Sequence, residues 1–276
     1  MIIDVHTHLH PPKLFAAIRK WFMDNPGWKL DHPTEPAAVA DALRKNGVER
    51  FVFSSYAHRP GMARELNDWL VKAGRSINFY GLPMFTVHLD DPNYLEDATI
   101  ALESGCVGLK IHEDVQALAV NDERFNPVYS LLRAHDAYVL AHIGPIPWKI
   151  VHEKGLERVK SVLQKHPELK FLVAHMGAPD TRSYLPLLPE YPGLHLDTTM
   201  AFSKVTADYL ALNADELEAH SSRIIYGSDY PTVPYPYGRE LDQFRSMNLT
   251  SGTLEAILGN NAARLIAPFL ARSEVR

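Results

Sequence analysis

A single cysteine, Cys106, in 276 residues excludes an internal disulfide framework and fits either a reducing compartment or a small buried hydrophobe. Basic clusters are missing as well. Lys and Arg number 28 against 33 Asp and Glu, giving a formal charge of −5, so a nucleic-acid partner is not expected. No apolar run reaches membrane-spanning length, and the first ten residues lack the basic start and apolar stretch of a secretory signal. No membrane partner is therefore expected, and the chain reads as a soluble cytoplasmic protein. Gly/Ser linkers, low-complexity tracts and charge blocks are also absent. With hydrophobic residues spread throughout at 46%, residues 1–276 read as one domain with a sizeable core.

Short apolar, β-branched runs alternate with longer amphipathic stretches, the pattern of βα units around a parallel sheet. Eight such runs are expected as strands, over 2–8, 50–55, 78–85, 107–112, 137–142, 170–175, 194–198 and 223–229. Helices are expected over 36–46, 61–73, 94–104, 127–135, 156–166 and 207–219. Asn46-Gly47 and Ser104-Gly105 tolerate the left-handed end of a helix, and Pro167 blocks continuation past His166. Eight units predict a (β/α)8 barrel, with a final helix over 253–265 closing the bottom or side. A doubly wound open sheet competes, but no Gly-rich dinucleotide fingerprint follows the first strand.

In such a barrel the active site is assembled at the C-terminal ends of the strands. Strand one ends in His6 and His8, strand four in Lys110 and His112, strand five in His142, strand six in His175 and strand eight in Asp229. An HxH pair alone says little, since 14 histidines in this length give about one such pair by chance. Alternation along a strand, however, puts His6, His8 and Asp4 on one face, where two imidazoles can share an ion. Five strands ending in metal-competent residues are much harder to obtain by accident.

The chain resembles the metal-dependent amidohydrolase superfamily, and within it amidohydrolase family 2, which includes aminocarboxymuconate-semialdehyde decarboxylase and related hydrolases. The resemblance is carried by Ile3-Asp4-Val5-His6-Thr7-His8, Gly108-Leu109-Lys110-Ile111-His112, Ala141-His142, Val173-Ala174-His175-Met176-Gly177, Gly227-Ser228-Asp229-Tyr230-Pro231 and Gly259-Asn260-Asn261-Ala262-Ala263-Arg264-Leu265. It implies that His6, His8, His142 and Asp229 ligate one divalent ion, most simply zinc, with manganese as an alternative. Such an ion lowers the pKa of its water to about 7. By the same resemblance Asp229 accepts that water's proton, and His175 polarises or protonates the substrate oxygen; a core histidine satisfied by backbone is the plainer reading of His175.

Lys110 decides the metal count. In some relatives a strand-four lysine is carboxylated and bridges two metals roughly 3.5 to 4 Å apart; unmodified, it is a cation that binds a substrate carboxylate or orients Asp229. His112 shares its face and is a candidate for substrate contact or for supporting the ligands. Asp4 lies one layer deeper and reads as a structural or supporting acid.

The stretch from His10-Pro11-Pro12 carries Phe15, Trp21, Phe22 and Trp28, and the one from Pro231 to Gly238 is rich in proline and tyrosine. Both are expected to overhang the mouth, either as an aromatic wall over the substrate or as loops packed on one another or across a subunit interface. Arg59, Trp148 and Tyr230 are candidate substrate-binding residues. The leading expectation is a metal-dependent hydrolase of an amide or lactone bond in a small carboxylated molecule. A non-oxidative decarboxylase of an aromatic or muconate-like acid is the alternative, and a non-catalytic binding barrel is a third reading. A homo-oligomer is compatible with the sequence.

Overall fold

The computed structural model describes residues 1–25, 27–143, 155–202 and 212–273. Its strands are β1 (Ile3–His8), β2 (Arg50–Ser54), β3 (Gly81–Pro83), β4 (Gly108–His112), β5 (Tyr138–His142), β6 (Lys170–Val173), β7 (Leu194–Asp197) and β8 (Ile224–Ile225), all pairing in parallel with their sequence neighbours. Ladders join β1 to β3 and β4 to β8, and two seams close them into one barrel. At one seam the Phe85 amide donates to Gly108 O and the Lys110 amide to Phe85 O, both at 2.8 Å. At the other, the Val5 amide donates to Tyr226 O at 3.1 Å and the His8 amide to Tyr230 O at 2.8 Å. Among the described residues no strand of the barrel is left with an unpaired edge, and the fold is the expected (β/α)8 barrel.

The strands are buried end to end, as β/α crossovers require when helices cover the outer face. Helix Ala63–Ser76 shows how the covering works: Ala63, Leu66, Leu70 and Ala73 repeat every three or four residues and are the buried stripe. The buried apolar side chains form one connected cluster running from Ile3 to Phe269. Close strand packing sets local demands on sequence. A Cβ at Gly108 would lie 2.3 Å from the Tyr138 carbonyl oxygen, so β4 can approach β5 only with glycine there.

Several elements differ from expectation. β3 is short because Asn78 and Phe79 adopt left-handed backbone (φ 52° and 51°) and use the residues before Gly81 to end the preceding helix. β8 is shorter still, although residues beyond it continue to hydrogen-bond to β1. β6 ends at Val173, so His175 lies in the tight turn Ala174–Gly177 rather than on the strand. The stretch after β1 contains a helix, Pro12–Asp24, which starts at a proline whose missing N–H costs nothing at that position. Only Ala214–Ala219 of the expected 207–219 helix is seen among the described residues. The final helix is built from Ser251–Glu255, a π-helical turn Ala256–Asn260, and Asn261–Ser273. It sits at the bottom: Asn261 Nδ2 donates to Ser221 O (2.6 Å) and Ile224 O (2.7 Å), and Gly259 abuts Met1 O. No helix among the described residues is long and apolar enough to cross a membrane.

Candidate metal centre

The pairing of β1 with β2 slips from Asp4↔Phe51 to Thr7↔Phe53, so β1 carries one extra residue, a bulge, just where His6 lies. Bulges re-aim side chains beside active sites, and here the His6 and His8 rings meet at the mouth with centroids 5.2 Å apart. Asp229 reaches the same point from the end of β8 in the left-handed conformation, φ 61°. Its Oδ1 lies 2.7 Å from His8 Nε2 and 3.4 Å from His6 Nε2, and the three ligand atoms fall within 4.8 Å of one another.

The far side of each imidazole fixes its near side. His6 Nδ1 donates to Asp197 Oδ2 at 2.9 Å, and His8 Nδ1 to the Ser54 carbonyl at 3.2 Å. With the proton committed at Nδ1, each Nε2 presents a lone pair toward the Asp229 carboxylate. His8 Nε2 and Asp229 Oδ1 are then two acceptors in contact, which requires a proton or a metal ion between them. Two imidazole nitrogens and a carboxylate oxygen, each imidazole held from behind by an acceptor, is the donor set of a divalent transition metal site. The residues fit the ion that the sequence implied.

Electrostatics follow from burial and neighbours. Burial, with Lys110 adding to it, lowers the His6 pKa to about 4. Asp229 is held well below the usual carboxylate range, burial being outweighed by His8, His6 and His175. Asp197 likewise sits at about 2, since its contacts with His6 overcome its desolvation. Its other oxygen accepts the His175 amide at 3.1 Å and the Thr199 amide at 3.0 Å, so one carboxylate ties β7 to both the β1 ligand and the β6 turn. Beneath them Asp4 accepts from the His6 amide (3.1 Å), Ser228 Oγ (2.6 Å) and Tyr237 Oη (3.0 Å). Burial lifts its pKa to about 7 even so. Gly227 is required here: a Cβ would come within 2.5 Å of Thr199 Oγ1 and 2.8 Å of His6 Cβ.

The remaining strand-end residues form a second group. His175, at φ 54°, donates from Nδ1 to the Thr199 carbonyl at 3.0 Å, so its Nε2 accepts from His142 Nδ1, also at 3.0 Å. That relay leaves the lone pair of neutral His142 on Nε2, the atom a ligand would use. His142 stands outside the compact trio of His6, His8 and Asp229 and is stacked on His112 at 4.0 Å. His112 Nδ1 accepts the Val115 amide at 3.4 Å, which puts the proton of the neutral ring on Nε2 and makes it a donor. Burial is the main reason both rings are held well below the ordinary histidine pKa; His175 and Lys110 add to it. Lys110 is fully buried and donates from Nζ to His6 Nε2 at 2.6 Å, its pKa lowered by burial to about 8.

Taken around the mouth, the rings close a circuit. His6, His8, Tyr56, His112, His142 and His175 each meet the next at centroid distances of 5.2, 6.0, 5.2, 4.0, 4.6 and, back to His6, 5.5 Å. Lys110 and Asp229 touch this circuit at the His6 and His8 side.

The other candidates lie further out. Tyr230 is buried against His32 (4.8 Å) and edge-on to Tyr237 (5.4 Å), so the stretches after β1 and β8 pack on each other. Phe22 stacks on Trp28 (5.7 Å), whereas Phe15 reaches the site by stacking on His10 (5.6 Å). Arg59 is exposed, three residues beyond Tyr56. Trp148 lies outside the described residues. Sequence reasoning missed Asp197, Thr199 and Tyr56. An aspartate one residue before the end of the seventh run was the available signal, parallel to the carboxylate ending the eighth.

Residues 3–267 match the family model described as Amidohydrolase. The chain is 22% identical over 279 residues to 6-methylsalicylic acid decarboxylase of Penicillium expansum, covering 84% of this chain and 86% of the relative. A 5-carboxyvanillate decarboxylase from Novosphingobium aromaticivorans, solved with bound manganese and 3-methoxy-4-hydroxy-5-nitrobenzoic acid, superposes with a TM-score of 0.65 at 14% identity, covering 97% of each chain. A probable 2-pyrone-4,6-dicarboxylic acid hydrolase from Acinetobacter baumannii, with citric acid bound, gives a TM-score of 0.67 at 13% identity, covering 96% of this chain and 99% of the other. At these identities the two structures bear on the fold alone.

Proposed function

We propose, from the premise that the chain belongs to the amidohydrolase family, that it is a metal-dependent, non-oxidative decarboxylase of a small hydroxylated aromatic acid. The family includes both hydrolases and decarboxylases. The observation that carries the choice is the circuit of rings: a cup walled by flat side chains with one ionised carboxylate, Asp229, at its rim suits a planar acid with an acidic hydroxyl. Support comes from the decarboxylase relative, whose substrate name describes such a hydroxy acid.

His6, His8 and Asp229 would hold one divalent ion, zinc or manganese, with His142 Nε2 as a further ligand. When bound, the ion supplies Lewis acidity toward the substrate's oxygen atoms. Asp229, charged at rest, must take a proton before it can give one. The substrate hydroxyl supplies it. The resulting phenolate pushes electron density onto the ring carbon that bears the carboxylate, Asp229 returns the proton to that carbon, and the C–C bond breaks. Carbon dioxide leaves, the bonding pair restores the aromatic ring, and the phenolate product is reprotonated from solvent. Net, one proton is consumed and one carbon dioxide released. His175, held by Asp197 and Thr199, keeps His142 oriented and lines the wall.

Hydrolysis of a lactone or amide is the second reading, favoured by the same ionised Asp229, which is equally placed to take a proton from water. A panel of hydroxybenzoic acids, muconate-like acids and small lactones separates the two. Carbon dioxide release from a hydroxybenzoic acid supports decarboxylation, and ring opening of a lactone without it overturns that choice.

A further inference from the structure

Tyr56 follows β2 at the gap between the ends of β1 and β4 and is held from three sides. Its ring meets His8 at 6.0 Å and 81°, His10 at 5.9 Å and 71°, and His112 at 5.2 Å and 66°, each edge to face. Such contacts fix the ring plane. Several tyrosines elsewhere commit their hydroxyls, Tyr80 to Val48 O, Tyr129 to Val120 O and Tyr237 to Asp4, whereas Tyr138 buries its hydroxyl without a partner among the described residues, away from the mouth at the start of β5. Tyr56 has no hydrogen-bond partner among the described residues, and it is partly exposed, at the mouth. Of the ring nitrogens around it, His8 Nδ1 donates to the Ser54 carbonyl and His8 Nε2 faces Asp229, His10 Nδ1 is engaged by Ser55 and His112 Nδ1 by Val115, while His10 Nε2 has no partner among the described residues.

We infer that Tyr56 is a substrate-binding residue whose hydroxyl donates a hydrogen bond to the carboxylate of the acid. The inference rests on the aromatic-acid reading above. Polarity divides the cup. Asp229 accepts, so the substrate hydroxyl belongs beside it; Tyr56 donates, so the carboxylate belongs beside Tyr56. The bond to Tyr56 is made by the charged ground state and is lost as neutral carbon dioxide departs, so it contributes to binding and not to the chemical step.

Tyr56→Phe keeps the ring and removes only the oxygen. With the metal-loaded protein, equilibrium binding of benzoate, which lacks the activating hydroxyl, should weaken about tenfold in the variant. Binding of uncharged benzamide should be unchanged. On a turned-over hydroxy acid, KM should rise by a similar factor with kcat equal or higher. Equal benzoate affinity in the two proteins overturns the inference while leaving the decarboxylase reading intact, as does an equal loss for benzamide, which would assign Tyr56 to ring packing. Failure of the unsubstituted protein to bind benzoate overturns the aromatic-acid reading and this inference with it.

Discussion

The two sides of the mouth are built on different principles. Where β1 meets β8, polar atoms are joined by direct polar contacts: His6 with Asp197, His8 with Ser54 and Asp229, Asp4 with Ser228 and Tyr237. Where β2, β4 and β5 end, side chains are related by ring contacts instead, Tyr56 on His112 and His112 on His142. The first side concentrates charge and fixes lone-pair directions, which a cation needs. The second offers flat, uncharged surface, which suits an organic ring. A substitution should therefore show its effect in metal binding on the first side and, at Tyr56 and His112, in ligand binding on the second; His142, whose Nε2 is a proposed ligand of the ion, belongs to both.

Asp229→Asn strikes the charged side hardest. Carbon dioxide release from whichever acid is turned over should fall by at least about a hundredfold in kcat, and retained turnover would remove Asp229 from the chemistry. Asp197→Asn leaves the trio in place but releases His6 from behind. Its expected effect is a loss of about 10- to 100-fold in metal affinity, measured by competition with a chelator. His112→Phe, on the uncharged side, keeps a ring against His142 and Tyr56. Metal affinity should stay within about twofold of the unsubstituted protein; a drop as deep as that of Asp197→Asn would erase the division between the sides.

The smallest effect concerns Glu240, buried under the β8 side with Oε1 accepting the Tyr235 hydroxyl at 2.6 Å. Burial pushes its pKa well above the ordinary 4.5. Because the folded pKa is raised, the fold favours the protonated acid. Its stability contribution is complete below the unfolded pKa and is lost as pH rises through the folded one. Glu240→Gln should accordingly flatten the decline of Tm with rising pH. Parallel curves for the two proteins would mean that Glu240 is not the group responsible.

The barrel was legible because period and punctuation repeat eight times, and strand-end positions brought out His6, His8, His112, His142 and Asp229 without any knowledge of contacts. What stayed hidden depends on closure. Asp197 touches His6 across 191 positions of sequence, so its role exists only once the barrel closes β8 onto β1 and brings β7 within reach of it. Tyr56 carries no motif of its own; His8 and His112, which end two other strands, and His10, just beyond the first of them, give it a site. The β3 boundary was missed for a local reason, two consecutive left-handed residues of types, Asn and Phe, of which only the first is a familiar helix terminator. His175 fell outside β6 for a similar one, since the turn Ala174–Gly177 places His175 and Met176 at positive φ. Strained backbone of this kind is commonest at functional sites, where surrounding contacts hold it in place.

The account stands on one cation held by His6, His8 and Asp229. Metal content of the purified protein after loading and desalting, measured beside that of His8→Ala with folding checked by circular dichroism, addresses this without reference to any substrate. One divalent ion per chain in the unsubstituted protein and almost none in the folded variant is the expected result. Equal occupancy in the two proteins, or none in either, would contradict it.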